Sequence, residues 1–291
     1  MGIMTGIKAN KAYRMQKNGQ KEEAIRLYEE CFQEGLNDTR FNLAYALLII
    51  REGEYAKAKQ FLVDHQKAPG MTPDQRTNLL VDYAVCCFRL GDVDKAVSTL
   101  EQQFRKMETG LLYQTLGYLY VEQFDLARKP EYLEKIRAAR EEEAAKRDGE
   151  AGKAAQEQPE GEEAPAPAEA EEPAPLPTPE EEWEAGAEKA EAFLQKAIEY
   201  DDEDPICLDN MGQFLYRVRG DQAAAKEWFE KALARKDSQI DTLYFLSRYD
   251  LEAGDTAAAR KKMETALEGR FSPLNYCTKD MVQEELARLK G

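Results

Sequence analysis

The chain has 291 residues, of which 33% are charged and 43% hydrophobic, and carries a formal net charge of −16. Such an acidic balance speaks against a generic nucleic-acid binder, because phosphate contacts need clustered Lys and Arg. The longest apolar run, Leu43 to Ile50, is eight residues against the ~20 needed to cross a bilayer, so no membrane insertion is expected.

The N-terminal stretch MGIMTGIKANKAYRMQ lacks the apolar centre of a signal peptide, and Gly6 stands where a myristoylation motif requires Ser or Thr. Five cysteines (31, 86, 87, 207, 277) show no C-x-x-C spacing, which suits buried thiols in a reducing compartment. The expected location is the cytoplasm.

In chain order, a helix pair recurs. Gly marks the turn, a small residue follows five positions later, then a large one and another small one. The first unit reads Ala12, Gly19, Ala24, Tyr28, Cys31 and the second Ala46, Gly53, Tyr55, Ala58, Leu62, with His65 at the last small position. The third reads Tyr83-Ala84, Gly91, Ala96, Leu100, with Gln103 at that position. Next comes Leu112 to Tyr120, LYQTLGYLY, with an aromatic at Tyr113, Leu116-Gly117 and then Tyr120 on one helical face. The fifth unit reads Met211-Gly212, Gly220, Ala225, Phe229, Ala232-Leu233, with one extra residue before its turn. The sixth reads Leu246-Ser247, Gly254, Ala259, Met263, Ala266-Leu267. Small residues are needed where two helices cross closely, and large ones fill the space between units.

This pattern resembles the tetratricopeptide-repeat family over about residues 5–125 and 186–272. Lys8, His65 and Gln103 depart from the family pattern and loosen their units. The resemblance implies an all-α solenoid, a right-handed superhelix of about six antiparallel helix pairs with a C-terminal capping helix at about Lys279 to Leu289.

The fourth unit lacks its second helix at the usual place. One reading supplies it from Ala190-x-x-x-Leu194-x-x-Ala197-Ile198, beyond an insertion. The rival takes residues 130–142, but there Lys135 and Arg137 stand where small residues belong. Closing a loop about sixteen-fold longer than a normal turn costs only ~2.4 kcal/mol, so the split is the preferred reading. The expected division is residues 5–129 (three repeats and the first helix of the fourth), 130–147 (a helical extension), 148–182 (a disordered acidic Pro/Ala/Glu-rich insertion), 183–274 (the rest of the repeats) and 275–291 (the cap). Fifteen acidic and three basic residues lie between Glu141 and Glu182, a net of −12, so the remainder of the chain is nearly balanced. Seven of the twelve prolines fall between 148 and 180, a composition that can bury almost nothing.

No residue constellation suggests catalysis. His65 is the sole histidine and has no neighbouring carboxylate set. Asp201 to Asp204 lack the alternating spacing and loop Gly of a calcium site, and no phosphate loop or hydrolase motif occurs. A non-enzymatic protein with no cofactor and no metal is expected.

In the family the first helices line a concave groove. At one groove position stand Lys17, Arg51, Arg89, Glu122, Arg217 and Glu252, and at another Tyr13, Leu47, Val85, Tyr118, Gln213 and Arg248. The resemblance thus implies a partner-binding surface of Tyr13, Lys17, Arg51, Arg89, Tyr118, Gln213, Arg217 and Arg248. Its basic spots suit a protein or peptide partner, acidic ones included. The same cations could instead complement helix ends and pair with neighbouring Glu. The chaperone-tail clamp of the family is not implied, since Ala9, Tyr13 and Leu47 occupy its Lys and Asn positions. A scaffold is the first functional reading. A regulatory or chaperone-like subunit is the alternative, with a nucleic-acid-binding helical repeat behind it. The acidic insertion is a candidate tethered competitor for the groove.

Overall fold

The structure, a computed structural model, describes residues 3–156 and 176–289 and is all-α, with fourteen helices among the described residues. They are α1 (Ile3–Lys17), α2 (Lys21–Gln33), α3 (Thr39–Arg51), α4 (Tyr55–His65), α5 (Pro73–Arg89), α6 (Val93–Phe104), α7 (Gly110–Gln123), α8 (Lys129–Gln156), α9 (Pro179–Tyr200), α10 (Pro205–Phe214), α11 (Gln222–Arg235), α12 (Ile240–Glu252), α13 (Thr256–Glu268) and α14 (Lys279–Arg288).

Antiparallel pairs form because the turn and the crossing are both sterically specified. Gly91, with φ at 89°, turns the chain between α5 and α6 in the left-handed region that a Cβ disfavours. The small residues at the crossings, Ala24, Ala58, Ala96, Ala225 and Ala259, are wholly buried. Side chains start the helices as well: the Asp92 carboxylate accepts from Lys95 N, and the Asp221 and Asp255 carboxylates cap α11 and α13 likewise.

Helix α7 packs against α9, across the insertion. A Cβ on Gly117 would lie 3.0 Å from Leu194 Cδ2, tighter than ordinary van der Waals contact, so the two helices approach closely there. Ala190 and Leu194 are fully buried there.

Helix α8 lies outside this pairing, against the start of α9. It is held by ion pairs and a small apolar patch: Arg137 pairs with Glu180 at 2.7 Å, Arg140 pairs with Glu182, Lys129 Nζ sits 3.7 Å from the Trp183 ring centroid, and Tyr132 and Leu133 pack on the edge of the central core.

Two boundaries differ from expectation. Helix α8 continues to Gln156, beyond the expected end at 147, because residues 148–156 still consist mostly of helix formers and the first proline comes only at 159. Helix α9 begins at Pro179 rather than 183. Thr178 and Glu181 form a reciprocal capping box, Pro179 opens the first turn, and three glutamates there complement the helix dipole. The rest of the expected disordered segment, 157–175, lies outside the described residues.

The extra residue of the fifth unit is absorbed as a π-helical turn over Leu215–Arg219, closed by Asp221 N donating to Leu215 O at 2.9 Å. At the C-terminus Thr278 caps α14, and Val282 and Leu286 are buried in a cluster with Met263 and Ala266 of α13. Glu285 of α14 pairs with Arg248 of α12. Irregular positions in the repeat pattern are accommodated locally. Gln103 donates to Thr77 Oγ1 at 2.9 Å, and His65 stacks on Phe61 with its Nδ1 2.8 Å from Phe61 O.

Candidate interaction groove

The first helices α1, α3, α5, α7 and α10 touch in sequence along one side of the molecule. The segment between α13 and α14 returns across it, and Leu274 packs on both the N-terminal and the central core clusters.

The structure separates the eight expected groove residues into two groups. Four lie toward the N-terminal end and keep their charges or faces available. Lys17 is exposed and rests 4.8 Å from the half-buried Tyr13 ring, one helical turn away. Arg51 and Arg89 are exposed and form no ion pair among the described residues. Arg89 stacks over Tyr55 at 5.4 Å.

The other four are engaged by the protein's own residues, three of them buried and Arg248 partly exposed. Tyr118 is 4% exposed and Gln213 wholly buried, so neither offers a surface to a partner in this arrangement. Arg217, 8% exposed, sits in a cage of acids. Its Nη2 reaches Glu122 Oε1 at 2.7 Å and Asp125 Oδ2 at 2.6 Å, its Nε reaches Asp125 Oδ2 at 2.9 Å, and its Nη1 donates to Gln213 Oε1 at 2.9 Å. Tyr276 covers the guanidinium at 4.2 Å. Burial alone would weaken the Arg217 charge, but the acids outweigh it and hold the guanidinium ionised. Arg248 is paired with Glu285 of the cap.

The cage continues inward. Gln213 Nε2 donates to Asp209 Oδ2 at 2.7 Å, and Thr242 Oγ1 donates to Asp209 Oδ1 at 2.5 Å. Asp241, 4% exposed, accepts from Tyr276 N at 3.0 Å, from Cys277 N at 3.1 Å and from Asn275 Nδ2 at 3.0 Å. Burial pushes both carboxyls above the ordinary range, and the Asp241 charge adds to the shift at Asp209. Asp82 of α5 is likewise pushed up to about 7 by burial, against the pull of Arg51. Sequence reasoning had no signal for these aspartates, which are singled out only by the helices packed around them.

The raised pKa values set a pH dependence. The folded state holds these protons more tightly than the unfolded chain, so each group's contribution is fully present below its unfolded pKa of ~3.9. It is lost as pH rises through the folded value, about 7 for Asp82. Carboxylates lowered by lysine partners, such as Glu108 beside Lys196, act oppositely and lose their contribution on acidification. Thermal scans should therefore give a higher Tm near pH 5.5 than at pH 8, at about 2–4 °C per kcal/mol for a chain of this size. Asp82→Asn should flatten the slope, and a Tm that rises toward pH 8 would contradict this reading.

Beside the returning segment lies a cavity of about 590 Å³ between α7, α10 and α12. Leu111, Thr115, Ile206, Asp209, Ile240 and Leu274 are among its lining. Lys236 and Arg270 stand at the same cavity without an ion pair among the described residues, and Gln239 Oε1 is buried there without a hydrogen-bond partner. The acidic turn Asp201 to Asp204 serves the scaffold: Asp204 Oδ1 caps α10, and Asp204 Oδ2 accepts from Gln114. No described helix is long and apolar enough to cross a membrane.

This is the tetratricopeptide-repeat fold, and solved structures share it. TTC0263, a thermophilic TPR protein of Thermus thermophilus, is 15% identical with a TM-score of 0.55, covering 87% of this chain and 99% of that one. MamA from Desulfovibrio magneticus RS-1 is 16% identical with a TM-score of 0.51, covering 82% of this chain and 98% of that one. Human IFIT1, solved with the capped RNA m7Gppp-AAAA, is 15% identical with a TM-score of 0.56. The match covers 97% of this chain but only 53% of IFIT1. No protein-family model and no curated protein matches the chain.

Proposed function

We propose that the protein is a non-catalytic scaffold that holds a protein partner on the inner face of its N-terminal repeats. The carrying observation is the contrast between the two ends of the groove. Arg217 and Arg248 are consumed by Glu122, Asp125 and Glu285, whereas Lys17, Arg51 and Arg89 form no ion pair among the described residues, and Asp82, the carboxyl that acts on Arg51, is held toward its neutral form by burial. Unpaired guanidinium and ammonium groups beside the aromatic faces of Tyr13 and Tyr55 suit an acidic peptide held by charge-assisted hydrogen bonds. RNA, the ligand in the IFIT1 structure, demands a continuous run of free cations, which the caging of Arg217 interrupts. Five buried cysteines, all free thiols, are in keeping with a cytoplasmic setting.

Affinity capture from lysate with the intact protein and with a Lys17→Glu/Arg51→Glu/Arg89→Glu variant tests this. The expected result is an acidic protein retained by the first and lost by the second. Equal retention by both, or retention of RNA in place of protein, would overturn the proposal.

A further inference from the structure

Residues 269–278 between α13 and α14 form neither helix nor strand, yet they run along the inner face of the superhelix and are fixed there by sequence-specific contacts. Ser272 and Asn275 tie the segment into a turn: Ser272 N donates to Asn275 Oδ1 at 2.7 Å, and Leu274 N donates to Ser272 Oγ at 3.2 Å. Three consecutive residues then read the groove. Asn275 presents its amide to Asp241, Tyr276 and Cys277 present backbone N–H groups to the same carboxylate, and the Tyr276 ring lies over Arg217 and 5.0 Å from the Phe245 ring. Leu274 fills the space between the two halves of the solenoid.

These are the elements of peptide recognition: a carboxylate that takes backbone donors, a cation beneath an aromatic ring, and an apolar contact at a fixed spacing. The segment does not complete the surface. The cavity of about 590 Å³ stays open beside it, with Gln239 Oε1 lacking a donor and Lys236 lacking an ion pair among the described residues.

We propose that the face of α7, α10 and α12 is a second peptide-binding surface, filled at rest by the chain's own residues 274–277. The partner it fits is an extended peptide carrying, in order, an apolar residue, a side chain that donates a hydrogen bond, and an aromatic ring. This rests on the scaffold reading above but uses other residues than Lys17, Arg51 and Arg89. An incoming peptide repeats the contacts to Asp241 and Arg217 and extends into the cavity, where its backbone N–H meets Gln239 and an acidic side chain meets Lys236. Because the resident segment is tethered, an outside peptide competes at a disadvantage set by the population of the open state.

A fluorescein-labelled synthetic peptide with the sequence of residues 269–279, carrying Cys277→Ser, is the probe. It should bind full-length Leu274→Ala/Tyr276→Ala protein at least about tenfold more tightly than the unaltered protein, since the variant removes the resident competitor. Adding Asp241→Asn to that variant should abolish the gain. No binding to a Leu274→Ala/Tyr276→Ala protein that keeps its helix content and cooperative unfolding would overturn the proposal. Should the variant not fold, hydrogen exchange of the unaltered protein decides. Tyr276 and Cys277 amides exchanging far faster than those of α10 would support a segment that leaves the groove. Protection equal to that of α10 would overturn it. Either failure leaves the N-terminal capture experiment unaffected.

Discussion

Arg217→Met should lower the unfolding free energy by about 3–5 kcal/mol, since it strips the closest cation from one buried acid, Glu122, and one half-buried acid, Asp125. Glu122 is 9% exposed, and Asp125 accepts two of the bonds that Arg217 donates. Without the guanidinium the half-buried Asp125 loses its ion-pair partner, and Glu122 keeps Arg128, at 3.9 Å, as its nearest cation among the described residues. A domain is stable by only ~5–15 kcal/mol, so this one substitution is a large fraction of the total. The triple change Arg217→Met/Glu122→Gln/Asp125→Asn should recover much of the loss, because the penalty comes from uncompensated charge rather than from the pair's intrinsic strength. Urea denaturation of the three proteins measures both effects. A single variant within about 1 kcal/mol of the unaltered protein, the range of an exposed pair, would show the cage to be loose.

Leu194→Ala in α9 should cost about 2–5 kcal/mol, the range for emptying a leucine site in a packed core. Leu194 is wholly buried against α7, and Gly117 offers no side chain to collapse into the gap. Leu133→Ala in α8 makes the matched control. It is half-buried at the edge of the same cluster, and its removal should cost under about 1.5 kcal/mol, the order of leaving part of one apolar side chain unburied. Chemical denaturation with both variants therefore identifies which helix completes the fourth repeat. The opposite order of losses would assign α8 to that role.

The repeat architecture was legible because its determinants are local. A glycine at a tight turn and an alanine at a crossing act through sterics within a few residues, so Gly91 and Ala96 announce their roles in the sequence. The extra residue before Gly220 was visible as an irregularity in spacing, and it became the π-helical turn.

The chemistry of the groove was less legible because it is decided by partners distant along the chain. Arg217 reads as a surface cation until Glu122, 95 residues earlier, folds against it. A signal for this did exist: the two residues hold the same repeat position in successive units, and opposite charges at matching positions of neighbouring repeats face each other. The segment 269–278 carried no periodicity to read. Its hint was apolar density, with Phe271, Leu274 and Tyr276 in a stretch that breaks at Pro273 and is too rich in such residues for a solvated linker.

The most direct test of the inner-face claim is hydrogen exchange of the protein alone and in complex with the partner captured from lysate. The account predicts slowed exchange in peptides covering residues 13–17, 47–51 and 85–89, on the first helices of the N-terminal repeats. Slowing confined to the second helices α2, α4 and α6, with those peptides unchanged, would place the partner on the outer face and contradict it.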